Sequence, residues 1–167
     1  MRAFLLATFT AVAFISQARC AELRGRVVKI ADGDTITVLV DAQQEKVRLV
    51  AIDCPENKQP FSAKAKQHTS DLCFGQDVKV AWEKRDQWGR ILGEVMVDGK
   101  SVNRALLKDG MAWHFKRYSK DTELQKLEDE ARAAKRGLWA DKEPIPPWDW
   151  RKQEKERRKA KTTRRAA

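Results

Sequence analysis

The sequence predicts an α+β fold that is mainly β, a five-stranded barrel carrying three helices. Three observations lead there: short stretches of alternating or β-branched apolar residues, turn signals between them, and a switch to helical spacing after the third stretch. Residues 23–30 place Leu, Val and Ile among basic residues, and Asp32-Gly33 then marks a turn. Residues 35–40 read Thr-Ile-Thr-Val-Leu-Val, residues 41–44 form a second turn, and residues 46–52 a third strand that Pro55 ends. In residues 61–74, Ala63, Ala65, Leu72 and Phe74 recur among polar residues as on a helix, stopped by Gly75. Two more strands follow, residues 76–82 with alternating Val78, Val80 and Trp82, and residues 91–97 before the Asp98-Gly99 turn. Val102, Leu106 and Leu107 give one apolar face to a second helix that stops at Gly110. Residues 122–135, rich in Glu, Ala, Lys and Arg, form a third helix closed by Gly137. Five short strands with a helix after the third is the order of an OB-fold barrel.

Both ends of the chain differ from this middle. Arg2, then an uncharged run over residues 3–15, then Ala18-Arg19-Cys20 before Ala21 make the three-part pattern of a secretory signal peptide over residues 1–20. The run is too short for a comfortable membrane span. Gln17-Ala18-Arg19 is a poor lipobox for lipidation of Cys20, so a soluble product is expected, exported to the periplasm or secreted, with no stable membrane anchor. The folded domain would then occupy residues 21–150. Pro144, Pro146 and Pro147 are expected to end regular structure, and residues 151–167, with nine basic and two acidic residues, to form a flexible basic tail.

Composition narrows the function. The 167 residues fit one domain with tails, and 35% of them are charged, for a formal net charge of +10. Loss of residues 1–20 would leave +8. Most of this charge lies on the surface, which favours a polyanionic partner, either nucleic acid or an anionic membrane surface. Two histidines and no CxxC spacing argue against a zinc site. Without Cys20, Cys54 and Cys73 remain, an even count that in an oxidising compartment suggests one disulfide. Closing a loop of about twenty residues would stabilise the fold by about 3 kcal/mol. The other reading is two buried free thiols.

Four short stretches carry chemistry: Asp32-Gly33-Asp34-Thr35, RLVAIDCPE at residues 48–56, DQWGR at residues 86–90, and Gly137-Leu138-Trp139. Asp34 and Asp53 sit at the ends of neighbouring strands, where both can face one hard cation. Taken alone, Asp34 reads as turn chemistry, and Asp53 shifts the balance towards a cation. Arg48 and Arg90 can each donate two hydrogen bonds to the oxygens of a phosphodiester that gathers charge under attack. Singly, each is an ordinary surface arginine; with two acids on one barrel rim they read as a phosphate clamp. Glu56, held after Pro55, can accept a proton from an attacking water or orient it.

In these four stretches, and in their order and spacing over about residues 23–150, the chain resembles the staphylococcal nuclease family. The resemblance implies a Ca²⁺-dependent endonuclease acting on DNA and/or RNA and leaving 3′-phosphate ends. It implies that Asp34, Asp53 and the carbonyl of Cys54 bind Ca²⁺, although the carboxylates themselves would serve Mg²⁺ as well. Arg48 and Arg90 would hold the scissile phosphate and Glu56 would be the base. Cys54 replaces a Thr of the family pattern, where only a carbonyl is needed. Trp88 replaces a Tyr and Gln87 a Lys. Trp88 can stack on a base, and Tyr118, with Lys116 at the competing position, is the candidate to hold the nucleotide. His68 and His114 are expected to be structural, and Trp139, Trp148 and Trp150 to pack the last helix and tail against the barrel. No protein partner is implied, and a monomer is expected. The rival readings are a non-catalytic OB-fold nucleic-acid-binding protein and a surface protein that uses its basic tail for adhesion.

Overall fold

In the computed structural model, residues 21–166 are described; the expected signal peptide lies outside them. The long strands are β1 (Ala21–Ile30), β2 (Thr35–Val40), β3 (Gln43–Leu49), β5 (Asp77–Arg85) and β6 (Ile91–Val97), with short strands β4 (Ile52–Asp53), β7 (Lys100–Ser101) and β8 (Trp113–His114). The helices are α1 (Ser62–Cys73), α2 (Val102–Lys108), α3 (Thr122–Ala133) and α4 (Pro147–Ala166), with a 3₁₀ turn at Gly137–Ala140.

The long strands pair in the order β3-β2-β1-β5-β6, antiparallel throughout, and β3 then pairs with β6 in parallel. That last pairing closes the sheet into the expected five-stranded barrel. Closure removes the free edges that an open sheet would expose. Val27, Ile36, Val38, Val47, Val80, Ile91 and Val95 are buried inside it, and Leu106 and Leu107 of α2 are buried in the same core. The period-two pattern is therefore the inside of the barrel.

The third strand begins earlier than its apolar residues suggest, at Gln43, because Asp41 and Ala42 alone make the turn, both with positive φ. It also breaks earlier. Ala51 has φ 65°, and Ile52–Asp53 leaves the barrel to pair with Trp113–His114. Buried Asn103 of α2 holds this break, donating to the Val50 carbonyl at 2.9 Å while accepting the Val95 N–H at 3.1 Å. The kink carries Asp53 away from the barrel wall and towards the turn that bears Asp34.

Two expectations need correction. Residues 151–167 are not a flexible tail: through Ala166 they belong to α4, a 20-residue helix that starts at Pro147. A proline in the first helical turn gives up only an N–H that would have had no intrahelical partner, so it opens a helix as readily as it ends one. The Lys, Arg, Glu and Ala that follow are good helix formers, and Glu154 pairs with Arg157 at 2.8 Å. Tertiary contacts fix the first turn. Trp148 stacks on Phe115 with ring centroids 5.5 Å apart and meets Trp113 edge-on, while Trp139 packs against Trp113 at 4.3 Å. Trp150 instead lies on α4 near Arg157.

The suggested disulfide is the second correction, since Cys54 and Cys73 are both free and buried. A Cβ on Gly33 would stand 2.7 Å from the Cβ of Cys54 and 3.0 Å from that of Ala65, so Cys54 faces the start of α1. Cys73 is the last residue of that helix and donates to the Thr69 carbonyl. Eight helical residues separate Ala65 from Cys73, about 12 Å of axis, well beyond the spacing a disulfide bridges. Burial pushes the Cys73 thiol up to about 12.

Beyond the end of α2, Gly110 (φ 67°) and Gly137 (φ 55°) lie against each other, and Leu138 donates to the Gly110 carbonyl at 2.8 Å. A Cβ on Gly137 would come within 2.2 Å of that same carbonyl oxygen. The contact locks α2 to the Gly137–Ala140 turn and so to the tryptophan cluster. Gly137→Ala is expected to destabilise the fold by about 3 kcal/mol or more, joining a left-handed backbone to a backbone clash. Gly99→Ala, at φ 77° but with open space around it, should cost about 1 kcal/mol. Urea midpoints of the two variants would check the contrast, and equal losses would show that the clash relaxes.

Candidate active site

The cleft forms where the β1–β2 turn, the end of β3, the β4 segment and the β5–β6 turn meet at one end of the barrel. Its turn is pinned from behind. The Thr69 hydroxyl of α1 donates to the Gly33 carbonyl at 2.6 Å, and the side of Gly33 lies against Cys54 and Ala65. Only glycine allows that approach. The turn therefore points Asp34 at the β4 segment, where its Oδ2 accepts the Cys54 N–H at 2.7 Å. The Asp34 carbonyl also accepts the Leu49 N–H at 2.8 Å.

Arg48 joins the two acids. Thr35 and Arg48 are cross-strand partners, so the Arg48 side chain emerges beside Asp34. Its Nη2 lies 2.7 Å from Asp53 Oδ1 and 3.1 Å from Asp34 Oδ2, and its Nη1 donates to the carbonyls of Leu49 and Ile52. Asp53 is 1% exposed and Asp34 6%. Burial pushes the Asp34 carboxyl up to about 8, with nearby Asp32 and Asp53 adding to the rise and Arg48 and the Cys54 N–H opposing it. Burial also works against the charge of Arg48, but Asp34 and Asp53 more than offset it and hold the guanidinium protonated.

Arg90 comes from the β5–β6 turn. Burial pushes the Asp86 carboxyl up, but hydrogen bonds from the Arg90 side chain and from the Arg90 and Trp88 N–H groups outweigh it and hold the carboxyl below its usual range. Asp86 thus fixes the whole DQWGR turn. Arg90 and Arg48 line the same cleft, of about 590 Å³. Trp88 and Tyr118, 70% and 69% exposed, stand on its rim, with Arg90 beneath the Trp88 ring and Phe115 edge-on to Tyr118. Unshielded rings at a cleft mouth are stacking surfaces.

Glu56 lies in the same cleft, its N–H donating to the Gln59 side chain, which itself reaches the Ile145 carbonyl. Its carboxylate is bound by Arg151, as is that of Asp53: Arg151 Nη2 lies 2.8 Å from Asp53 Oδ2, and Nη1 meets Glu56 Oε1. Arg151 comes from the second turn of α4, one helical turn beyond Trp148.

The structure thus brings Asp34, Arg48, Asp53, Cys54, Glu56, Arg90, Trp88 and Tyr118 to one cleft. It does not bring Lys116 there. Lys116 turns to the buried carboxylate of Glu128, 3.7 Å away. His68 pairs with Asp109, and His114 is buried with Nδ1 at 3.2 Å from Gln125; neither lines the cleft. Arg151, Gln59 and Phe115 were not foreseen. None of the three has a local sequence signal, because each reaches the cleft through contacts distant in the chain.

Among the described residues no three His, Cys, Asp or Glu side chains form a metal-holding group. Asp34 and Asp53 nevertheless both reach one nitrogen of Arg48, so their oxygens are neighbours, and the Asp34 charge is poorly compensated. A hard cation that adds backbone carbonyl and water ligands suits such a pair.

A closed OB-type barrel with paired arginines beside acids in one cleft suits a ligand that carries phosphate. The comparisons narrow this further. Residues 46–141 match the family described as staphylococcal nuclease homologue. An uncharacterized endonuclease of Escherichia coli is 44% identical over 133 residues, covering 79% of this chain and 87% of the relative. A protein named ParB, also of Escherichia coli, is 42% identical over 159 residues, 89% and 90% of the two chains. A micrococcal nuclease of Shigella flexneri is 41% identical over 155 residues, 86% and 89% of the two. The chain belongs to the staphylococcal nuclease family.

Asp34 is held in the cleft at the expense of the fold, because a buried carboxyl with incomplete compensation is costly. Asp34→Asn keeps an oxygen for the Cys54 N–H and removes the buried ionisable group. Without added cations, the variant is expected to melt above the parent, by about 1 kcal/mol or roughly 2–4 °C. A lower melting point would mean that Arg48 needs both acids.

Proposed function

We propose that the protein is an exported, metal-dependent endonuclease that hydrolyses phosphodiester bonds of DNA and/or RNA. The observation that carries this reading is the cleft itself: two buried acids meet at Arg48, Arg90 lines the same wall, and Glu56 lies within reach. The relatives named as nucleases support it. The uncharged run over residues 3–15 and the cleavage pattern before Ala21 support export to the periplasm or beyond.

Asp34, Asp53 and the carbonyl of Cys54 would hold the cation, with Ca²⁺ favoured by the family and Mg²⁺ compatible with the same oxygens. Such a cation supplies Lewis-acid polarisation of a phosphoryl oxygen and of a bound water. Arg48 and Arg90 donate to the phosphate oxygens as charge gathers on them. Glu56 accepts the proton of the attacking water. For this it must leave Arg151, whose guanidinium neutralises Glu56 and Asp53 in the free protein. Trp88 and Tyr118 offer their rings to the flanking bases, a contact indifferent to base identity and so suited to a broad-range nuclease.

The decisive assay is cleavage of denatured DNA by the chain from Ala21 onward, with Ca²⁺ and with chelator, beside Glu56→Gln. Cutting is expected only with the cation, and a steep fall in the variant. Binding that ignores chelator, with no cutting under any divalent cation, would instead support the non-catalytic binding protein. Arg48→Ala and Arg90→Ala are each expected to lower kcat by about a hundredfold or more, the usual loss for a preorganised donor. Losses below tenfold for both would remove them from the reaction.

A further inference from the structure

Beyond the catalytic cleft, α4 builds a second groove. It runs between the helix and residues 56–58, with a volume of about 1270 Å³. Glu56 and Arg151 line both this groove and the catalytic cleft, so the two are continuous. On the helix side its wall includes Arg151, Lys155, Arg158, Lys159 and Thr162, and Lys58 faces them from the loop. The spacing i, i+4, i+7, i+8, i+11 is one face of a helix, and from Arg151 to Thr162 it extends about 16 Å.

The charges on that face are uneven in their use. The acids of the groove are taken: Glu56 by Arg151 and Glu154 by Arg157. Lys58, Lys155, Arg158 and Lys159 have no carboxylate within ion-pair distance among the described residues. The helix is firmly placed at one end, by Trp148 on Phe115 and by Arg151 on Asp53. A row of unpaired cations leading straight out of a phosphate-handling cleft, on a helix held in register with it, fits one kind of ligand. We infer that this groove binds the single-stranded continuation of a polynucleotide whose scissile phosphate lies between Arg48 and Arg90.

The inference rests on the nuclease reading and adds a substrate preference to it. A strand of several nucleotides engages Lys155, Arg158 and Lys159 through successive phosphates, and a di- or trinucleotide does not reach them. The groove's cations on α4 lie in one row along one helix face, which matches the successive phosphates of one strand and offers no partners to those of a second. The protein therefore selects long, single-stranded substrates through affinity and leaves the chemistry of the cleft unaltered.

The test uses Lys155→Ala/Arg158→Ala/Lys159→Ala in the chain from Ala21 onward. Alanine keeps the helix, which circular dichroism would verify. Binding of fluorescein-labelled dT3, dT15 and a 15-base-pair duplex is measured by anisotropy in chelator, across a salt series. The triple variant is expected to lose about tenfold or more in affinity for dT15. Its slope of log K against log salt should flatten by about 2, or about 0.7 per lost phosphate contact on a single strand. Affinity for dT3 should change less than twofold. Unchanged dT15 binding, or an equal loss on dT3, would overturn the groove; a duplex weakened as much as dT15 would overturn its single-strand character. Parallel cleavage of dT3 and dT15 by the parent chain tests the nuclease reading separately, since a parent that cuts both leaves that reading intact whatever the groove does.

Discussion

One buried guanidinium holds the cleft together. Arg48 lies between Asp34 and Asp53 and also donates to two backbone carbonyls. Two carboxyls brought together inside a protein repel each other and lose their hydration, so their proximity needs a cation within hydrogen-bonding distance. Everything local serves that arrangement. The β2–β3 register sets Arg48 opposite Thr35, α1 presses the Gly33 turn forward, and the kink at Ala51 swings Asp53 off the barrel. A one-residue slip of β3 would turn Arg48 to the other face and leave both acids unpaired.

Packing outside the cleft contributes as well. The Gly110–Gly137 contact seats Trp139, which packs on Trp113, which meets Trp148. Trp148 stands three residues before Arg151, so one apolar stack sets where a guanidinium arrives among the acids. Rings held by neighbours on several sides have little freedom, and the charge that follows them along the helix inherits that order. Apolar packing on one element thereby fixes an electrostatic contact on another.

How much of this the sequence disclosed depended on the range of the contact. The strands were legible because alternation is a local signal, and Val78, Val80 and Trp82 reveal a strand without knowledge of their partners. Asp34, Arg48, Asp53, Glu56 and Arg90 were legible as a set only through their motifs, since each has a bland explanation by itself. The helical character of α4 was in plain sight, in Pro147 followed by Glu, Lys, Arg and Ala, but the prolines were read as an end rather than a beginning. Cys54 and Cys73 misled because an even count says nothing about distance, and α1 lies between them. Arg151 was beyond sequence reasoning: its partner Asp53 is 98 residues away, and the contact exists only once the Trp148 stack has placed the helix.

The balance of charge in the cleft separates two tasks. The carboxyls of Asp32, Asp34, Asp53, Glu56 and Asp86 line it against the guanidiniums of Arg48, Arg90 and Arg151. Even with Asp34 protonated, acids outnumber bases four to three, so the cleft alone holds a phosphate only weakly. On the proposed reading, a divalent cation would reverse that balance where the bond is to be cut. The α4 face is basic whether or not a cation is bound, so it can gather a strand at any time. Encounter would then be left to permanent charge on an exposed helix, and a phosphate would be held firmly beside the buried acids once a cation had joined them. A cleft basic enough to bind phosphate by itself would hold its substrate and product alike; one that depends on a cation concentrates its attraction on the reacting group.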